Sequence, residues 1–175
     1  MPERLSYADS WAVLQKKKLV PEGSAPEMRY EPPRPDDAAG GGVRFVQAMV
    51  AGVKLERLTL PRTFIGRSEF RKVSFKETEL SGSTVNWNDF IQVNFSGADL
   101  SRCDLRACLF DGVKFMGADL SGADFRYCGF KKCHFTDADL TDAKLTQKAG
   151  AVLKLSPEQQ SVIDWQVEDG EEPAG

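Results

Sequence analysis

Large apolar residues recur at every fifth position along the middle of the chain, from Phe45 through Ile65, Val85, Leu105 and Phe125 to Leu145. Two positions before each sits a small residue, such as Ala98 before Leu100 or Cys103 before Leu105. A helix would carry residues five apart around its axis, and a strand would send alternate ones to opposite faces. A chain that turns a corner every five residues buries every large residue and its small companion. Each unit then covers its neighbour, which is the logic of a solenoid. Four such sides make a coil of twenty, and the sequence sorts at that period. Leu60, Leu80, Leu100, Leu120 and Leu140 fall in one column; Phe70, Phe90, Phe110 and Phe130 in a second; Phe75, Phe95, Phe115 and Phe135 in a third. From Val43 to Leu145 this predicts about five coils, a rod on the order of 25 Å long at ~4.8 Å per stacked strand.

The flanks break the rule. Residues 1–20 predict an N-terminal arm with a short helix, started by Ser6 with Asp9 three positions on. Residues 21–42, rich in proline and closing on Gly40-Gly41-Gly42, read as a linker. The repeat domain is expected over 43–150. A C-terminal helix over 151–167 is expected to cover the open end, with Ser156 as N-cap, Pro157 at the first position and Gln159 completing a capping box. Val162, Ile163 and Trp165 supply the apolar surface for that cap, or for a homodimer through the same end. An acidic, disordered tail is expected over 168–175.

Charge narrows the function classes. The net charge is −3, and most of it lies outside the repeat. Residues 43–145 hold 15 Lys and Arg against 13 Asp and Glu, and residues 146–175 hold 2 against 6. Neither direct nucleic-acid binding nor a membrane surface is favoured. No signal peptide or membrane-length apolar run is visible, so the expected location is cytoplasmic. Cys103, Cys108, Cys128 and Cys133 occupy small inward positions and read as buried packing residues in a reduced protein. No metal or cofactor pattern is present, and no cofactor is expected. The one histidine, His134, points outward while its neighbour Cys133 points inward, so the two make no pair and no enzymatic role is expected.

Ser96-Gly97-Ala98-Asp99-Leu100, Met116-Gly117-Ala118-Asp119-Leu120 and Thr136-Asp137-Ala138-Asp139-Leu140 resemble the pentapeptide-repeat family. The resemblance implies an all-β solenoid, a right-handed quadrilateral parallel β-helix, here with short helices at both ends. It is strong over residues 93–145 and looser before, where Leu58 is large for a small position, Pro61 follows a corner and Asn88 puts an amide inside. An internal hydrogen bond is expected for Asn88, because an unpaired buried amide is costly.

The register also assigns outward faces. One carries Phe64, Arg67, Trp87, Arg106, Arg126 and Tyr127, with Arg67, Trp87, Ala107 and Tyr127 in a single column. Trp, Tyr and Arg are residues that interfaces favour. This face is the candidate binding surface for an unknown partner protein, unless Leu5 and Trp11 of the arm pack on it. Another face stacks Glu79, Asp99, Asp119 and Asp139. By the resemblance, such a stripe implies a DNA mimic that binds and protects gyrase or another topoisomerase; without it, the acids serve turn amides. The leading expectation is a rigid, non-catalytic scaffold for protein–protein interaction. An adaptor or immunity partner of a secreted toxin is a further alternative.

Overall fold

The computed structural model describes residues 3–36 and 42–167; the expected acidic tail at 168–175 lies outside the described residues. Its first element is a helix, α1 (Tyr7–Lys16), N-capped by Ser6, whose hydroxyl accepts from the Asp9 N–H. The rod then begins with β1 (Arg44–Val46) and β2 (Met49–Ala51), followed one coil on by β3 (Phe64–Gly66) and β4 (Glu69–Arg71). Three more strands, β5 (Asp89–Ile91), β6 (Leu109–Asp111) and β7 (Gly129–Lys131), continue the side that holds β2 and β4. Every pairing is parallel and twenty residues apart, as in Phe70 opposite Phe90 and Phe90 opposite Phe110. The other sides hold together through single bridges at the same step, for example Lys54 to Ser74 and Glu79 to Asp99.

One side reaches further than the sequence rule suggests. It steps from β1 to β3, through Thr84, Asp104 and Asp124, to β8 (Lys144–Thr146) and on to β9 (Asp164–Gln166). The solenoid therefore has about six turns, not five. The last turn replaces three sides with two short helices, α2 (Gln147–Ala151) and α3 (Pro157–Val162), before β9 returns to register. The single helix expected over 151–167 is thus two helices and a strand. The reason is the twenty-residue step itself: Trp165 stacks opposite Leu145.

The interior is a set of ladders. Phe90 stacks on Phe110 at 5.5 Å between ring centroids and 8° between planes, and Phe95 on Phe115 at 5.5 Å and 9°. Rings of adjacent columns meet edge to face, as Phe110 does with Phe115 at 5.4 Å. Both geometries suit aromatic quadrupoles. Several polar residues at the small positions follow one bonding rule. Asn88 and the cysteines donate to the carbonyl 23 residues back: Asn88 Nδ2 to Ile65 O at 2.9 Å, Cys103 Sγ to Leu80 O at 3.0 Å, Cys108 Sγ to Val85 O at 2.9 Å. Several also accept an N–H from twenty back, such as Ser68 N–H to Asn88 Oδ1 at 3.0 Å. The amide of Asn88 is therefore paired at both ends. The four cysteines are free thiols. Burial pushes Cys103 and Cys108 up to about 12, which leaves them protonated and unreactive at neutral pH.

Both ends are covered. At the N-terminal end, Leu5 N–H donates to Arg57 O at 2.8 Å and the Ser10 hydroxyl accepts from Thr59 N–H at 2.8 Å. Ser10 and Leu14 are fully buried. Leu58 fits its small position because no earlier coil lies beneath it; it joins Trp11 and Leu14 in the core. The stretch 21–36 is tied down, contrary to a free linker: Trp11 Nε1 donates to Gly23 O at 3.0 Å, Arg62 Nε to Arg29 O, and Arg44 to Arg34 O. At the other end, Gln159 completes the capping box with Ser156 and turns its Nε2 onto Phe135 O at 2.7 Å and Ala138 O at 3.0 Å. Ile163 is buried, Trp165 is half-buried with its ring over Gly150, and Val162 is exposed.

Candidate partner-binding face

Every corner of the rod needs one residue with positive φ, where glycine is at ease and other residues are strained. Gly82, Gly97, Gly112, Gly117 and Gly122 meet that need directly. The other three columns mix such glycines with residues like Arg57, Lys72 and Arg102, whereas the column between the first and second sides has no glycine and holds Gln47, Arg67, Trp87, Ala107 and Tyr127. Trp87 has φ 59° and Tyr127 φ 63°, a conformation that bulky side chains rarely adopt. Both rings point into solvent, with Trp87 68% and Tyr127 62% exposed. The two residues, forty apart in sequence, stand two coils apart on one edge, about 10 Å by strand spacing. The arm leaves them uncovered, because α1 sits at the end of the rod instead of on this face.

The structure divides the rest of the predicted cluster. Phe64 is an outward strand residue yet only 8% exposed, contrary to its expected display. Its ring folds onto Gly66, where an added Cβ would come within 2.6 Å of the ring. Arg106 and Arg126 are committed to their own strands. Arg106 forks onto Asp104 at 2.8 and 2.9 Å, and Arg126 onto Asp124 at 2.9 and 2.7 Å. Arg67 is exposed, and no carboxylate pairs with it among the described residues.

The arginine–aspartate forks have a pH signature. Burial works to raise the Asp104 and Asp124 carboxyls, but the side-chain and backbone hydrogen bonds from Arg106 and Arg126 hold both below the usual carboxylate range. A carboxylate depressed in the folded state stabilises the fold above its unfolded value, about 3.9. That contribution is lost as the pH falls through the lower folded value. The double variant Arg106→Met, Arg126→Met is therefore expected to be less stable than wild type at pH 7. The gap, read from urea midpoints, should narrow below about pH 4; a gap independent of pH would mean the forks contribute only packing.

The acidic stripe is also engaged. Asp99 Oδ1 accepts from the Ser101 N–H at 3.0 Å and hydroxyl at 2.6 Å; Asp119 does the same with Ser121, and Asp139 with Thr141. Glu79 accepts from the Ser81 hydroxyl at 2.9 Å. These carboxylates serve the corner turns within each coil. Hydrogen bonds from Thr141 lower the Asp139 carboxyl.

A family model described as pentapeptide repeats (8 copies) matches residues 68–106, 89–126 and 114–147. Residues 68–147 are pentapeptide repeats. Among solved structures, this pentapeptide-repeat rod is similar to HetL, a pentapeptide repeat protein involved in heterocyst differentiation regulation from the cyanobacterium Nostoc. That match has a TM-score of 0.58 and 20% identity over 61% of this chain and 45% of HetL, so the chain spans less than half of that relative. A pentapeptide repeat protein from the thylakoid lumen of Arabidopsis thaliana matches at TM-score 0.45 and 23% identity, over 66% of this chain and 73% of that one. QnrB1, a plasmid-mediated fluoroquinolone resistance protein, matches at TM-score 0.41 and 19% identity, over 59% and 61%. No curated protein matches the sequence significantly. The HetL likeness is one of fold. Among the described residues no helix is long and apolar enough to cross a membrane, and no cluster of His, Cys, Asp or Glu is arranged to hold a metal.

Proposed function

We propose that this protein is a non-catalytic recognition scaffold whose corner column, Arg67, Trp87 and Tyr127, binds a partner protein. One observation carries the reading: two large aromatic rings stand in solvent at positions where their own backbone is strained. Burial within the fold does not account for them, and although every corner from Gln47 to Asp142 shares the positive φ, Trp87 and Tyr127 are the aromatic residues among those corners. The stacked core holds the column rigid, so binding costs little ordering entropy. Exposed aromatics flanked by arginine match the composition of interface hot spots.

The strain supplies an unusually clean test. In Trp87→Gly, Tyr127→Gly the corner conformation becomes relaxed, so the melting temperature should hold or rise slightly, within about 1 kcal/mol of wild-type stability. Quantitative affinity capture from the native cell should then lose the partners retained by wild type. If wild type and variant retain the same proteins, the column is not the site.

A further inference from the structure

Two clefts flank Trp87, and they differ in chemistry. The first, of about 380 Å³, is lined by Pro35, Val46, Phe64, Gly66, Arg67, Asn86 and Trp87. The second, of about 290 Å³, includes Met49, Glu69 and Asp89 along with Arg67 and Trp87.

The first cleft is built by a local exception in the repeat. Its floor is the ring of Phe64, which lies down only because residue 66 has no side chain: a Cβ there would meet the ring at 2.6 Å. One coil on, the equivalent position holds Asn86, and then Arg106 and Arg126, so this space exists once along the face. Asn86 is not free to fill it, since its Nδ2 donates to Asp104 Oδ2 at 3.2 Å. Trp87 forms one wall and the exposed Val46 another. The single charge on the lining is Arg67. Unlike Arg106 and Arg126, which are neutralised by their own aspartates, it has no carboxylate partner among the described residues.

An apolar floor and walls beside one unpaired guanidinium are complementary to an apolar side chain with a carboxylate close by. One cation cannot track a phosphate backbone, which needs several at regular spacing. The cleft is open along the face, which suits a segment laid across it. On the far side of Trp87, Glu69 is held by Arg71, but Asp89 has no partner cation among the described residues and repels a second acid. We propose that the first cleft takes an extended acidic peptide segment of the partner, with one apolar side chain between Phe64 and Trp87 and its neighbouring carboxylate on Arg67. This deepens the partner-binding reading and rests on it.

The test uses three pairs of fluorescein-labelled hexapeptides with the full-length protein. Each pair is Gly-Ser-X-Asp-Ser-Gly and its twin with Lys in place of Asp, where X is Phe, Leu or Trp. In fluorescence anisotropy at low salt, wild type should prefer at least one acidic peptide over its twin by about fivefold or more, the range of an exposed ion pair with the opposing repulsion added. Arg67→Glu should reverse that preference. Val46→Ser, which removes an apolar wall without touching the charge, should weaken the acidic and lysine peptides together. Circular dichroism melts establish that both variants are folded. The proposal is overturned if no acidic peptide exceeds its twin, or if Arg67→Glu leaves the preference unchanged. The two readings separate: loss of native partners in Trp87→Gly, Tyr127→Gly without any peptide preference removes the cleft proposal and leaves the face. A charge-reversible preference with native partners undisturbed leaves the cleft a peptide site and removes the column as the partner surface.

Discussion

Phe110→Ala is expected to destabilise the rod by about 3–5 kcal/mol, the range for emptying a buried aromatic site. The residue is fully buried, stacked between Phe90 at 5.5 Å and Phe130 at 5.4 Å, and met edge-on by Phe115 and Phe125. Neighbouring coils cannot collapse into the gap, because their strands are held by hydrogen bonds on all four sides. Phe130→Ala should cost distinctly less, since Phe130 is only half-buried and lies in the last strand of its sheet. Urea unfolding followed by far-UV circular dichroism reads both. If the two variants lose equal amounts, or if Phe110→Ala loses under 1 kcal/mol, the ladder is not the main source of stability.

Asn88→Leu is the second large effect, and it separates hydrogen bonding from volume. Leucine nearly matches asparagine in size, so little space opens. It cannot accept from the Ser68 N–H or donate to Ile65 O, and both groups stay buried. An unsatisfied buried group costs about 1–3 kcal/mol, so a loss of roughly 2–5 kcal/mol is expected. Asn88→Ser should be milder, because Ser68, one coil earlier, keeps the accepting bond with a hydroxyl: it accepts from the Ala48 N–H at 3.0 Å and directs its one proton to Gly66 O at 3.0 Å, with Phe45 O farther at 3.5 Å. A leucine variant as stable as the serine variant would show that the amide is filling space and nothing more.

The five-residue register was legible because it is set by local geometry repeated many times. It located the four sides, the ladders and the inward amide of Asn88, while capping signals outside the register located the caps at Ser6 and Ser156. It also placed Trp87 and Tyr127 on one edge. What it left out arises from contacts between dissimilar segments. The docking of α1 depends on Ser10 reaching Thr59, a pairing that no periodicity encodes. Phe64 goes down because of Gly66, an absence of side chain two positions away. Two features were present in the sequence as signals. Asp104-Leu105-Arg106 and Asp124-Phe125-Arg126 repeat the spacing of Asp99-Leu100-Ser101, so each arginine meets its own aspartate just as each serine does. The sixth turn was announced by Trp165, twenty residues beyond Leu145, although the helices between them interrupt the rule.

Parallel strands in register, stacked identical phenylalanines and a dry interior are also the ingredients of an amyloid fibril. The difference lies at the two ends. A fibril grows because its last layer is a template for the next copy. Here the first layer is closed by Ser10 on the Thr59 amide, and the last by Gln159 on the Phe135 and Ala138 carbonyls, with β9 over β8. At the C-terminal edge of the five-stranded sheet, β7 carries Lys131 with Lys132 just beyond it, both exposed, and lysine at an edge discourages pairing. The segments that terminate the rod therefore determine whether this sequence is a finite molecule or the start of a polymer.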